Sequence, residues 1–160
     1  MFGFLNKKQS EVQDTDLIAP IQGQMIAIET VKDPVFAQKM MGDGVAFEFG
    51  EDKAEVVAPT NGTLSVLYPT GHAFGITNKA GVEILIHIGI DTVQANGDGF
   101  YAKKKQGDKV KAGETIVVVD VKKLKQTYDM TTMLVITNAN GQSIQFMDPQ
   151  SVEKGQIINV

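Results

Sequence analysis

The chain contains no cysteine, no tryptophan and no arginine among its 160 residues. Each absence closes off a class of chemistry. Without Cys there is no disulfide framework, no thiolate nucleophile, no cysteine zinc site and no iron–sulfur cluster. Without Arg there is no bidentate reader of guanine, and 19 acidic against 15 basic residues give a net charge of −4, the wrong sign for a nucleic-acid footprint. No apolar run approaches the roughly 18 residues of a membrane-spanning helix. Imidazole is scarce as well: His72 and His87 are the only two histidines.

What is present is β-rich. Alternating or short apolar runs at Gln24–Glu29, Val45–Phe49, Gly62–Leu67, Val82–Ile90, Thr115–Asp120, Met133–Asn138 and Ser143–Phe146 predict strands. Asn61-Gly62, Asn96-Gly97 and Asn140-Gly141 predict turns, since both residue types tolerate positive φ. Helical signal is sparse. Asp33-Pro34 can cap and start a turn through Val35–Met41, and Asp120 can cap one over Val121–Tyr128. The fold class is therefore all-β: an antiparallel sandwich or barrel-sandwich with a few short helical turns. Residues 1–16 read as a flexible leader and 17–160 as one domain. Phe2, Phe4 and Leu5 ahead of Lys7 and Lys8 make residues 1–10 either a frayed terminus or a weak membrane-surface anchor. Their order is wrong for a signal peptide, which points to the cytoplasm.

The sequence also echoes itself. Ile18-Ala19-Pro20-Ile21-Gln22-Gly23-Gln24-Met25 and Val57-Ala58-Pro59-Thr60-Asn61-Gly62-Thr63-Leu64 share the pattern aliphatic-Ala-Pro-x-x-Gly-x-apolar. Each copy reads as a strand end, a proline-initiated turn and a new strand, so a duplicated β motif is expected. Gly107–Glu114 reads as a further turn-rich hairpin.

Three candidate sites emerge. In Val82–Asp91, period-two alternation puts Ile84, Ile86, Ile88 and Ile90 on one face and Glu83, Leu85, His87 and Gly89 on the other. His87 thus points away from an all-Ile core face while keeping apolar neighbours, where an imidazole is poised to titrate or to act as a nucleophile. The turn residues of Gly71–Ala80 allow His72 to fold back beside it. A histidine pair could also be two ligands of a zinc site completed by Asp91 or Glu83. A third candidate is Lys53, in a Glu-Asp-Lys-Ala string that has the look of a lipoyl-attachment hairpin.

Around the histidines the pattern becomes specific. Gly71-His72-Ala73-Phe74, Gly81-Val82-Glu83 and Leu85-Ile86-His87-Ile88-Gly89-Ile90-Asp91-Thr92-Val93 closely resemble the glucose-type enzyme IIA component of the bacterial sugar phosphotransferase system. Ile18–Gly23, Val35–Ala37, Met41–Gly44, Val57–Thr63 and Gly97–Phe100 agree with that family in order, over about residues 17–150.

The resemblance implies an antiparallel β-sandwich and a phosphohistidine relay. His87 would accept a phosphoryl group from the phosphocarrier protein HPr and pass it to a cysteine on a sugar-specific IIB domain. His72 would assist without being phosphorylated, and Thr70 would hydrogen-bond within the site. The phosphate is carried covalently, so no cofactor or resident metal is expected. An apolar docking patch would include Val35, Phe36, Met41, Tyr68, Phe74 and Leu85, rimmed by Asp33 and Asp91. By local reach and by the resemblance, the Gly89 carbonyl would hold one ring nitrogen of His87. Two other readings stay open: a lipoyl-type carrier using Lys53, and a regulatory binding protein of the same fold without turnover.

Overall fold

The computed structural model describes residues 12–160. The candidate anchor at residues 1–10 lies outside the described residues, as does most of the leader. Residues 13–16 are tied to the domain: Asn78 Nδ2 donates to Asp14 O, and Asn159 Nδ2 donates to Thr15 O.

Among the described residues, eleven strands form two open sheets. They are β1 (Gly23–Ala27), β2 (Asp43–Phe49), β3 (Lys53–Val57), β4 (Gly62–Leu67), β5 (Ala73–Thr77), β6 (Glu83–Ile88), β7 (Phe100–Ala102), β8 (Lys109–Val110), β9 (Thr115–Asp120), β10 (Thr132–Asn138) and β11 (Gln150–Val152). The large sheet runs β11-β1-β2-β10-β6-β5-β4-β8, the small one β3-β9-β7, and every pairing is antiparallel. Two single helical turns, α1 (Pro34–Ala37) and α2 (Val121–Leu124), complete the architecture with 3₁₀ turns at Ile28–Thr30 and Thr92–Ala95. The all-β sandwich expected from the sequence is the fold observed.

The duplication extends further than its sequence echo. Ile18 N donates to Pro59 O at 2.8 Å, and Val57 N donates to Pro20 O at 3.0 Å, so the two echoed segments bond each other reciprocally. Gly23 pairs with Val152 where Gly62 pairs with Val110. Ala19 bonds Gly155 and Gln156 where Ala58 bonds Gly113 and Glu114. The second half of each unit is thus Val110–Ile116 and Val152–Ile158, an apolar-x-x-Gly-polar-x-Ile pattern. Gly107–Glu114 is accordingly not a hairpin: β8 pairs with β4 and β9 with β3 and β7, in the other sheet.

Two cores sit on opposite faces of the large sheet. Between the sheets, Phe47, Leu64, Phe74, Ile76, Ile84, Ile86, Ile88, Val117 and Val119 are buried together. Each fully buried side chain of this size contributes about 1.5–3 kcal/mol. Alternation sends their neighbours Ala46, Met133 and Val135 to the outer face, where the 29-to-37 segment folds over them and supplies Phe36 to a second, smaller cluster. Asp33 starts α1 by accepting from Val35 N at 2.9 Å, and Pro34 suits its first position. The turn ends at Ala37, short of Met41, because Lys39 adopts a left-handed φ of 57°. α2 likewise stops at Leu124 rather than Tyr128.

Four expectations are corrected. Phe74, expected on the docking patch, is fully buried between the sheets, because β5 alternation turns it inward opposite Ile86. Ile90 leaves the all-Ile face: β6 ends at Ile88, Gly89 turns the chain at φ 79°, and Ile90 packs on the outer cluster with Leu85. Asn61-Gly62 is no positive-φ turn; Gly62 opens β4 against the Thr77 carbonyl, while Asn61 Oδ1 accepts from Ala112 N at 2.8 Å. Ser143–Phe146 forms no strand and makes only an isolated bridge from Phe146 to Asn159.

Candidate active site

Neighbouring strands bring the two histidines together. Ala73 and His87 are register partners across β5 and β6, and His72 precedes Ala73. Ile88 N donates to His72 O at 2.7 Å, which fixes the two backbones at the strand ends. Gly71 makes the entry possible: its φ of 76° lets the chain turn, and Gly71 N donates to Tyr68 O at 2.8 Å. The imidazoles end edge to face, centroids 5.1 Å apart at 80°.

Each ring has one nitrogen held. His87 Nδ1 lies 2.8 Å from the Gly89 carbonyl, the acceptor expected from the sequence and its resemblance. A carbonyl only accepts, so Nδ1 carries the proton and Nε2 keeps a lone pair. His72 Nδ1 lies 2.5 Å from Thr70 Oγ1. A hydroxyl can donate or accept; when it donates to Nδ1, the His72 proton sits on Nε2, and one ring then offers a lone pair and the other an N–H.

Aromatic walls dry the pair. Phe36 packs against His87 at 5.2 Å and Tyr68 against His72 at 5.2 Å. His72 is only 3% exposed, while His87 is half-buried. Burial pulls the His72 pKa from 6.5 down to about 4, with the neighbouring His87 adding to the effect. Burial also lowers His87, partly offset by the Gly89 carbonyl and by the negative charges of Asp33 and Asp91. Both rings are therefore neutral at pH 7.

The residues expected to surround the pair divide into three groups. Phe36, 5% exposed, is a wall of the site rather than open surface. Val35, Met41 and Tyr68 are exposed and Leu85 is half-buried. Met41, Tyr68 and Leu85 line a shallow hollow of about 160 Å³ with Val66. Val66 was not legible in advance, because a β-branched residue in an alternating strand reads as core. Asp33 and Asp91 are near enough to act electrostatically on His87.

The rival sites do not form. Lys53 is at no hairpin tip: β2 and β3 lie in different sheets, and Lys53 opens β3 in register with Asp120. Glu83, considered as a third zinc ligand, sits at the far end of β6 and accepts from Asn138 Nδ2. Among the described residues no three His, Cys, Asp or Glu side chains cluster for a metal, and no helix is long and apolar enough to cross a membrane.

The chain is similar to known proteins over most of its length. Residues 15–142 match the family described as phosphoenolpyruvate-dependent sugar phosphotransferase system, EIIA 1. The structure is similar to that of glucose permease IIA from Mycoplasma capricolum, with a TM-score of 0.85 and 36% identity. The match covers 90% of this chain and 93% of that one.

Proposed function

The chain belongs to the EIIA 1 family of the phosphoenolpyruvate-dependent sugar phosphotransferase system, and from that premise we propose that it carries a phosphoryl group on His87. It takes the group from HPr and hands it to a cysteine of a IIB domain, working in the cytoplasm. The observation that carries this reading is the hydrogen bond from His87 Nδ1 to the Gly89 carbonyl, which leaves Nε2 as a nucleophile.

The Nε2 lone pair attacks the donor's phosphorus. One N–P bond forms, the donor's bond to phosphorus breaks with its electron pair returning to the donor, and Nδ1 keeps its proton. In the onward step the acceptor thiolate attacks the same phosphorus and Nε2 recovers its pair. The transition state is loose, so catalysis is mainly positioning and charge stabilisation. His72 supplies the latter through its Nε2–H, a donor worth roughly 2.7–4 kcal/mol in a dry site. A permanently charged arginine there would over-stabilise the phosphorylated form and slow its discharge. Val35, Met41, Val66, Tyr68 and Leu85 form the docking patch, and Asp33 and Asp91 draw in basic residues of HPr.

The test is incubation with phosphoenolpyruvate, enzyme I and HPr, followed by intact mass and site mapping. The expected result is one phosphate on His87 and none on His87→Ala. No uptake by the unaltered chain from fully charged HPr refutes the carrier reading and leaves a regulatory binding protein.

A further inference from the structure

Thr92 follows the histidine motif, and the carrier mechanism above gives it no task. It is fully buried and touches the Ile88–Gly89 turn with both branches of its side chain. Its Oγ1 donates to the Ile88 carbonyl at 2.5 Å. Its methyl packs so close to Gly89 that a Cβ built there would meet Thr92 Cγ2 at 2.5 Å.

That turn is where β6 ends. Ile88 N still finds a strand neighbour, the carbonyl of His72, but the Ile88 carbonyl takes the Thr92 hydroxyl. The next peptide then accepts from His87 Nδ1 through the Gly89 oxygen and donates to the Asp129 carbonyl through Ile90 N at 2.8 Å. A peptide bonded on both sides is polarised in the sense that strengthens each bond. Gly89 has the widest backbone freedom of any residue, so its carbonyl keeps this aim only if the flanking atoms hold it.

We propose that Thr92 is a positioning residue: by bonding the Ile88 carbonyl and packing on Gly89, it keeps the Gly89 oxygen aimed at His87 Nδ1 and so holds His87 in the tautomer with Nε2 free. The inference rests on His87 being the phosphoryl carrier. Its primary readout, the tautomer itself, is independent of transfer.

The experiment records long-range ¹H–¹⁵N spectra of the two imidazoles at pH 7.5 in the unaltered chain, Thr92→Val and Thr92→Ser, beside rates of phosphoryl uptake from phospho-HPr. The unaltered chain should show His87 as the Nδ1–H tautomer. Thr92→Val keeps the volume and loses the hydroxyl. It should show a mixture of His87 tautomers with His72 unchanged, and uptake should fall about tenfold, in proportion to the competent fraction. Thr92→Ser should restore a single tautomer and most of the rate. If folded Thr92→Val keeps a single Nδ1–H tautomer, the proposal is overturned, whatever its thermal stability. If the valine variant does not fold, Thr92→Cys, a weak donor, takes its place under the same criterion. A mixed tautomer in a chain that accepts no phosphate would uphold the role of Thr92 and refute the carrier reading.

Discussion

The rings of His72 and His87 meet edge to face at 5.1 Å, yet their held nitrogens face opposite kinds of partner. His87 Nδ1 meets a carbonyl that can only accept; His72 Nδ1 meets the Thr70 hydroxyl, which can donate. Two chemically identical side chains thereby acquire complementary roles. His87 presents a lone pair at Nε2, and with the Thr70 hydroxyl donating, His72 presents an N–H beside it.

This complementarity predicts separable defects. His72→Gln should still be labelled on His87 but transfer to IIB slowly, with a loss of roughly 10²–10³-fold expected for one removed donor. Single-turnover transfer from the phosphorylated variant measures this. Unimpaired transfer would make His72 purely structural.

Acid should act on both rate and stability. Both histidine pKa values are lowered, so uptake should hold at neutral pH and fall only as His87 gains a proton below the ordinary imidazole range, because a protonated Nε2 has no lone pair. An unfolded histidine takes its proton near 6.5, whereas folded His72 resists until about 4. The unfolded state therefore binds more protons in that window, and stability should fall as pH drops from about 6.5 to about 4. Urea midpoints at stepped pH would record the slope. His72→Gln should flatten it, and an equal slope in the variant would contradict the assignment.

Removing the rim charges isolates steering from structure. Asparagine at position 33 keeps the cap on α1, and at position 91 it tolerates the left-handed φ of 60° found there. Asp33→Asn with Asp91→Asn should therefore leave the fold intact and slow uptake from phospho-HPr about tenfold at low ionic strength, within the range of electrostatic steering. The gap should close as salt screens the charges. A salt-independent difference would assign these residues another role.

The duplicated motif contains its own control for core packing. Thr60 and Ile21 occupy equivalent positions in the two copies, both fully buried, but the Thr60 hydroxyl has no hydrogen-bond partner among the described residues. Thr60→Val should raise the unfolding free energy by about 1–3 kcal/mol, the cost of an unmade buried hydrogen bond. The urea midpoint should rise with m unchanged, and phosphoryl uptake should not alter. A lower midpoint would show that the hydroxyl has a partner in solution.

By itself the sequence determined the class of fold, the pairing of its only two histidines and the first half of the duplication. Those readings rest on local periodicity and on ordered motifs, which are properties of the chain before it folds. It could not separate Phe74 from the exposed members of the apolar patch, because Phe74 and Tyr68 are both aromatic and flank His72. Only the alternation of β5, set by pairing with β6, turns Phe74 into the core and leaves Tyr68 beside His72. Nor could it recognise Val152–Ile158 as the partner of Val110–Ile116, since the shared pattern is short and the reciprocal hydrogen bonds join segments distant in sequence. The role argued for Thr92 is tertiary in the same sense: a threonine becomes a clamp only where a strand has ended and left a carbonyl unpaired. What the fold decided, throughout, is which nitrogen, carbonyl or side chain faces which, and at this site that orientation is the chemistry.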